Sequence, residues 1–238
     1  MSGGNGRNEA TVIGRDRDRA TYLHATRTAY DIVAVDYERL LRDELNAKPL
    51  NRAMLTAFSD FVQAQAPGTG PVADLGCGPG HITAHLHSLG VDAFGIDLSP
   101  EMIAVARRTH PGLRFEEGSM TGLDLKDGSL GGVIAWYSTV HTPPELLPTV
   151  FAECHRVLAP GGHLLLAFKA GDRLRHLDQA YGHELSLDVY WMSPDHVAGL
   201  MGEAGFGMTA RMVREPDESE KPRQGRQAFF LARKPEGS

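Results

Sequence analysis

The chain has 238 residues with 30 acidic and 24 basic side chains, a formal net charge of -6, and no dense Lys/Arg cluster. That length suits one large α/β domain, and the acidic balance argues against a nucleic-acid partner. Neither of the two cysteines lies in a C-x-x-C or metal-ligand spacing, so we expect reduced thiols and no metal. No apolar run approaches the roughly 18 residues of a membrane span, which predicts a soluble, cytoplasmic protein without a membrane partner.

The amino-terminal part of the chain divides into two segments. Residues 1–19 are rich in Gly, Asn, Arg and Asp without apolar periodicity, which predicts a flexible tail, either disordered or swapped between the subunits of a homodimer. In residues 20–66, apolar side chains recur at helical intervals between Thr21 and Leu45, and a second helical stretch opens at Pro49. These are the predicted N-terminal helices.

From residue 71 onward, apolar runs and helical patterns alternate. Strands are predicted at 72–76, 92–97, 113–117, 131–137 and 162–168, and helices at 80–89, 100–108 and 145–157. Such alternation predicts a parallel sheet with right-handed crossovers. After Gly171 the strand signal lapses until 208–213 and 227–232, which we expect to pair as an antiparallel hairpin at the sheet edge.

The most informative feature is the turn after the first predicted strand, Asp74-Leu-Gly-Cys-Gly-Pro-Gly80. A glycine-rich turn that leads into a helix brings backbone N–H groups against a ligand. The second strand ends in Asp97, a carboxylate able to accept hydrogen bonds from both hydroxyls of a ribose. Together they predict nucleoside binding at the carboxyl ends of parallel strands. The spacing is G-x-G-x-G, which differs from the G-x-G-x-x-G of dinucleotide sites.

The segment 74–80 resembles motif I of class I S-adenosylmethionine-dependent methyltransferases, and Asp97 falls at their ribose-binding acid. Residues 156–162, Arg-Val-Leu-Ala-Pro-Gly-Gly, resemble the family's entry into strand five. The resemblance runs from about Tyr30 to Arg233. It implies S-adenosylmethionine as cofactor, S-adenosylhomocysteine as product, and a Rossmann-like seven-stranded, mostly parallel sheet with helices on both faces and an antiparallel strand at one edge.

The resemblance also implies how the chain is divided and which residues bind the cofactor. Residues 20–238 would form a single domain, with a cofactor-binding core at 71–170, an acceptor-side insertion and helix at 171–205, and a strand hairpin at 206–238. Ser119 stands where the family often has an acid for the adenine amino group, so adenine would depend on Ser119 and Met120. The full set of expected cofactor contacts is Tyr30, Asp74, Gly76, Cys77, Gly78, Asp97, Leu98, Ser119, Met120 and Tyr137.

His141 follows the fourth predicted strand, where the family places the transferable methyl. An imidazole with an ordinary pKa could act as a general base, whereas the alternative is a histidine that only holds the turn. Both interpretations stay open. The acceptor-binding residues are expected to be His141 together with aromatic and histidine side chains that suit a compact aromatic or heterocyclic molecule: Tyr181, His183, Tyr190 and Trp191. The alternative for 171–191 is an ordinary surface loop.

The sequence favours a methyltransferase that acts on an O or N atom of a small molecule, with carbon as the less favoured acceptor. One alternative is a non-catalytic protein that binds S-adenosylmethionine. The other is a nicotinamide-dependent oxidoreductase, which the glycine spacing and the lack of a Tyr-x-x-x-Lys pair disfavour. Methylation of nucleic-acid bases is disfavoured because the chain has no Asn-Pro-Pro-Tyr loop.

Overall fold

A computed structural model describes residues 6–65, 69–216 and 225–237, with side chains from residue 20 onward. Its helices are α1 (Gly6–Leu41), α2 (Pro49–Gln63), α3 (His81–Ser88), α4 (Pro100–Thr109), α5 (Leu147–Val157) and α6 (Pro194–Glu203). Its strands are β1 (Val72–Leu75), β2 (Ala93–Asp97), β3 (Phe115–Glu117), β4 (Leu130–Trp136), β5 (Leu158–Lys169), β6 (Arg173–Ala180), β7 (His183–Trp191), β8 (Gly207–Arg214) and β9 (Gln227–Arg233). In the described ranges, no helix is both long and apolar enough to cross a bilayer.

Seven strands form the main sheet in the order β3-β2-β1-β4-β5-β9-β8. The first five in this order pair in parallel, and in the register Val72 lies beside Ala93 on one side and Gly132 on the other. β9 runs antiparallel to both β5 and β8. The predicted fold class is therefore confirmed, with the reversed strand one position in from the edge.

Helices cover both faces of this sheet. The side chains of β1, β4 and β5 are therefore buried on both sides. On one face, α2 and α3 contribute Phe58 and Leu86, which pack with Ile134 of β4. On the other face, α5 and α6 contribute Phe151 and Val197. Strands buried on both faces are continuously apolar, which is why the parallel core was legible in the sequence.

Helix α1 begins at Gly6, inside the segment 1–19 that the sequence predicts to be a flexible tail. No proline interrupts 6–41, and Arg, Ala and Glu have high helix propensity, so the backbone continues the packed helix toward the amino terminus. The backbone of residues 6–19 is thus helical, while residues 1–5 lie outside the described part of the chain. The flexibility of this segment stays a prediction.

Helix α1 is anchored to the start of α4. The Ser99 hydroxyl donates to Asp31 Oδ1 at 2.5 Å and accepts from the Met102 N–H at 3.1 Å, so one side chain caps α4 and ties it to α1. Val33 and Ala34 of α1 pack against Met102. These contacts hold α1 beside the ends of β1 and β2, where the candidate site lies.

The lapse of strand structure expected after Gly171 is wrong, since β6 and β7 form a separate two-stranded antiparallel sheet. Their turn is Tyr181-Gly182, with φ of 56° and 85°, which is the pattern of a two-residue type I′ hairpin turn. Leu187, Val189 and Trp191 are buried, while Ser186, Asp188 and Tyr190 before them are more exposed. This hairpin therefore packs one face against the rest of the protein.

Candidate active site

A pocket opens at the carboxyl ends of β1, β2, β3 and β4, and α1 forms its opposite wall. Parallel α/β sheets place ligand sites at this end of the strands. Nine of the residues expected from the sequence line it: Tyr30, Gly76, Gly78, Asp97, Leu98, Ser119, Met120, Tyr137 and His141.

Asp97 ends β2 and is 9% exposed. Its Oδ2 accepts from the Gly78 N–H at 2.8 Å, and its Oδ1 accepts from the Ser99 N–H at 2.8 Å. Burial raises the pKa of this carboxyl to about 6, although the two backbone donors oppose the shift. At neutral pH the group is mainly ionised, and each carboxylate oxygen has further lone-pair capacity for a hydroxyl donor. This suits a ribose.

In the turn after β1, glycines bring the main chain directly to the pocket. Gly78 has a φ of 53° and lines the pocket. Gly76 has a φ of 68°, and a β-carbon there would lie 2.3 Å from the Ser138 β-carbon. A side chain at either position would require a strained left-handed backbone, and at position 76 a clash with the β4 end as well. The residues present therefore fit a ligand held close to the main chain.

Asp74 lies behind this turn, 1% exposed, and is not part of the pocket lining. Its Oδ2 accepts from the Thr83 hydroxyl at 2.7 Å, while its Oδ1 is buried with no hydrogen-bond partner among the described residues. Burial raises the pKa of Asp74 to about 6. One unsatisfied carboxylate oxygen remains available for a ligand ammonium or an ordered water.

Cys77 contributes backbone to the turn, but its side chain is directed away from the pocket. The thiol packs with Ile103, Ala106 and Phe115, and a β-carbon at Gly95 would approach its sulfur to 2.6 Å. The cysteine side chain fills space between β2 and α4.

The pocket end near β3 is formed by Leu98, Ser119 and Met120, each partly buried. The Ser119 hydroxyl lies 2.8 Å from the Thr121 hydroxyl and accepts from the Thr121 N–H at 3.2 Å, so it is already engaged in its own turn. Arg27 of α1 also lines the pocket and lies 4.0 Å from Glu117. These groups offer apolar faces with a few polar atoms.

Tyr30 and His141 form a hydrogen-bonded pair in the pocket wall. His141 Nδ1 lies 2.7 Å from the Asp188 carbonyl oxygen, which only accepts, so Nδ1 carries the proton. Nε2 is then the acceptor of the neutral ring, and the Tyr30 hydroxyl donates to it at 2.8 Å. Burial lowers the pKa of His141 to about 4 and raises the pKa of Tyr30 well above its ordinary value. Both groups are neutral at pH 7.

Tyr137 follows β4 with a φ of 54°, an uncommon conformation for a bulky side chain. Its N–H donates to the Ala167 carbonyl at 2.8 Å, and its ring packs edge-on against Trp136 and Phe229. The backbone is thus fixed while the ring faces the pocket.

The other four residues expected to bind the acceptor do not line the pocket. Tyr181 packs edge-on against Tyr37 at 5.1 Å, and His183 Nε2 lies 2.8 Å from Asp36 Oδ2, so both join the hairpin to α1. Trp191 is buried beneath Arg173, whose guanidinium lies 3.9 Å from the indole centroid. Tyr190 packs against the core on the α5 and α6 face. They support the wall from behind.

Further lining residues were absent from the set expected from the sequence. On α1 they include Tyr22, Leu23, Thr26, Arg27 and Tyr37, and at the β4 end Trp136 and Ser138. The spacing of 22, 26, 30 and 37 follows one face of a helix, which was a usable signal. What the sequence did not provide was the direction in which that face points.

Comparison with known proteins agrees with this site. Residues 72–162 match the methyltransferase domain family. The chain is 34% identical to malonyl-(acyl-carrier protein) O-methyltransferase of Pectobacterium atrosepticum over 110 residues, which are 46% of this chain and 43% of that relative. The chain therefore spans less than half the length of this curated relative.

Two solved structures share the fold. Magnesium protoporphyrin IX methyltransferase of Synechocystis, solved with S-adenosylmethionine, has a TM-score of 0.65 at 16% identity, covering 90% of this chain and 97% of that one. The 1,6-didemethyltoxoflavin-N1-methyltransferase of Burkholderia thailandensis, solved with 1,6-didemethyltoxoflavin and S-adenosylhomocysteine, has a TM-score of 0.63 at 20% identity, covering 91% and 90%. The family match, the relatives and the site together support a class I S-adenosylmethionine-dependent methyltransferase.

Proposed function

We propose that this protein binds S-adenosylmethionine and transfers its methyl group to an O or N atom of a small molecule, releasing S-adenosylhomocysteine. The observation that carries the proposal is that one pocket contains two groups of functional residues. A buried carboxylate faces a glycine turn at the end of β2, and a neutral tyrosine–histidine pair lies in the facing wall. The first suits an adenosyl group, and the second suits a nucleophile that sheds a proton.

In this proposal Asp97 accepts from the ribose hydroxyls, and the backbone at Gly76 and Gly78 lies against the ligand. Asp74 lies behind the turn, so its free oxygen acts toward the ammonium side through an ordered water. When bound, the cofactor supplies an activated methyl on a sulfonium, so that transfer needs alignment more than covalent assistance.

The tyrosine–histidine pair supports a more specific role for His141 than the sequence could. With a pKa of about 4, removal of a proton from a neutral nucleophile by His141 would be unfavourable by about 4 kcal/mol at pH 7 relative to a matched base. The nucleophile becomes far more acidic as its bond to the methyl carbon forms. We infer that Tyr30 accepts a hydrogen bond from the acceptor and that the proton passes to Nε2 of His141 as the carbon–sulfur bond breaks.

The proposed activity is tested with S-adenosylmethionine that carries an isotopically heavy methyl group. The purified protein is incubated with it and a small-molecule extract, and mass spectrometry follows both S-adenosylhomocysteine and products of increased mass. The proposal expects a heavy-labelled O- or N-methyl product. Binding of the cofactor without any product across the extract would favour the non-catalytic alternative, and no binding at all would overturn the proposal.

A further inference from the structure

The tautomer of His141 depends on β7, a strand behind the pocket wall. His141 ends a short 3₁₀ turn (Thr139–His141) after β4, and its Nδ1–H donates to the backbone carbonyl of Asp188 in β7 at 2.7 Å. The hydrogen bond made by one ring nitrogen of a histidine decides which form the other nitrogen takes. Nε2 therefore accepts from Tyr30 only while the Asp188 carbonyl stays in place.

The side chain of Asp188 is held in turn by His176 of β6. The two residues lie directly opposite each other in the hairpin, and His176 Nδ1 donates to Asp188 Oδ1 at 2.7 Å. His176 Nε2 lies 3.4 Å from Asp178 Oδ1 and 3.4 Å from the Ser186 hydroxyl. Among the described residues, Asp188 and Asp178 are the charged groups that face this ring, and the hydrogen bond with Asp188 raises the pKa of His176.

The buried face of β7 connects this contact to the pocket wall. Leu187 and Val189 flank Asp188 and are 8% and 5% exposed. Val189 packs with Val140, the residue before His141. A shift of β7 therefore also moves the turn that carries the imidazole.

The hairpin depends on contacts beyond its own two strands, because an isolated two-stranded hairpin is only marginally stable in water. At its tip, His183 Nε2 lies 2.8 Å from Asp36 of α1, the helix that carries Tyr30. Further along, opposite charges at the facing positions of His176 and Asp188 stabilise the antiparallel pairing. The hairpin thus joins the two elements that bear the proton path, and its cross-strand ion pair lies at the position that contacts the imidazole.

We propose that His176 and Asp188 are positioning residues for the methyl transfer. Their bond on the outside of the hairpin fixes the β7 backbone, so that the Asp188 carbonyl keeps the proton of His141 on Nδ1 and leaves Nε2 for Tyr30. Without that bond the carbonyl shifts, and part of the population takes the tautomer that carries the proton on Nε2. This tautomer cannot take up a proton at Nε2. The inference rests on the proposed function and deepens it.

The first test reads the tautomer itself and needs neither cofactor nor acceptor. Long-range ¹H–¹⁵N NMR spectra of histidine-labelled protein distinguish a proton on Nδ1 from one on Nε2, and the spectrum of His141→Gln assigns the signals. We expect the Nδ1–H form in the wild type. His176→Ala and Asp188→Asn should each add a population with the proton on Nε2. Gln179→Ala, exposed on the same strand as His176, is the matched control and should give the wild-type spectrum.

The second test separates turnover from cofactor binding. In His176→Ala we expect kcat for S-adenosylhomocysteine release to fall about fivefold, while the Kd of S-adenosylhomocysteine changes by less than about twofold. His176→Arg places a permanent cation opposite Asp188 and should restore kcat.

The dependence on pH gives a further readout of the same pair. Because the pKa of His176 is raised, the pair is fully formed below the ordinary histidine pKa and is lost as the pH rises through the pKa of the folded protein. The cation of His176→Arg does not titrate in this range. The ratio of kcat in His176→Arg to kcat in the wild type should therefore rise between about pH 6.5 and 9.

The possible outcomes separate this inference from the proposed function. An unchanged His141 tautomer in His176→Ala would overturn the inference, and so would an equal loss of kcat and of cofactor affinity, which would mean that the hairpin supports the whole pocket. If the wild type releases no S-adenosylhomocysteine with any acceptor, the proposed function fails, while the tautomer spectra still decide the inference. Should His176→Ala not fold, as judged by its near-ultraviolet circular dichroism, His176→Gln against His176→Arg provides the same comparison.

Discussion

The two walls of the pocket are built in different ways. The sheet wall uses backbone and one buried carboxylate at the ends of β1 and β2, all within 24 residues of sequence. The opposite wall is made by α1 and is supported by the β6–β7 hairpin, which lies more than 130 residues further along the chain. The sheet wall thus depends on local geometry, and the α1 wall depends on long-range packing. Substitutions should therefore separate cofactor binding from reaction with the acceptor.

The largest expected effect is in the sheet wall. Asp97→Ala removes two charge-assisted hydrogen bonds to the ribose, so the free energy of cofactor binding should weaken by roughly 2 to 5 kcal/mol. Isothermal titration calorimetry measures this loss. Asp92→Ala is the matched control, since Asp92 is exposed just before β2 and should bind as the wild type does. Unchanged affinity in Asp97→Ala would remove the ribose assignment.

The next effect is at the Tyr30–His141 pair, which joins α1 to the end of β4. Tyr30→Phe and His141→Gln should each lower kcat by about 100-fold, because each breaks the same proton path. The double variant should lose little more than either single variant, since the two groups act as one unit. The rates of S-adenosylhomocysteine release by the wild type, the two single variants and the double variant complete a double-mutant cycle. Additive losses would mean that His141 serves the turn and that Tyr30 acts by itself.

A change of pH should have a smaller effect on the affinity for the cofactor. Cofactor binding favours the ionised form of Asp97, so affinity should be constant above pH 6 and fall by up to about tenfold per unit below it. Calorimetry between pH 5 and 8 checks the slope. In the free protein the sign is opposite: a raised pKa stabilises the fold at low pH, and this contribution is lost as the pH rises through about 6. A flat binding profile would contradict the role of the carboxylate.

The smallest effect concerns the support behind the α1 wall. His183 and Asp36 are both partly exposed, and a single ion pair of this kind contributes little. His183→Ala should raise the KM for the acceptor by less than about fivefold and leave cofactor affinity unchanged. A large loss of cofactor affinity would show that the hairpin reaches the sheet wall as well.

The same contrast decides what could be predicted from the sequence. β1, β2 and α4 were placed within one or two residues because apolar runs, a glycine turn and the Ser99-Pro100 cap are local signals. The hairpin was missed although Leu185, Leu187, Val189 and Trp191 alternate as a strand does, since its first strand, β6, is mostly exposed and its turn has tyrosine where asparagine or glycine is usual. Local pattern also could not show that Tyr181 and His183 turn toward α1, away from the pocket.

The start of β5 shows a further reason why the structure departs from the sequence prediction. The sequence Pro160-Gly161-Gly162 predicts an end to the preceding helix and a strand from 162, yet β5 begins at Leu158 directly after α5. The pairing with β4 shifts in register between Leu130 and Gly132, so an irregularity absorbs the proline and glycines inside the strand. The ladders with β4 and β9 resume only at His163, so the breaker interrupts the pairing, and the start of β5 at Leu158 depends on a single pairing with Leu130 that no local window contains.

The most direct measurement is a crystal structure of the protein grown with S-adenosylhomocysteine. We expect the ribose hydroxyls within hydrogen-bond distance of Asp97, the backbone of Gly76 and Gly78 against the ligand, and the sulfur facing Tyr137. Electron density for the ligand outside this pocket, or none at saturating concentration, would contradict it.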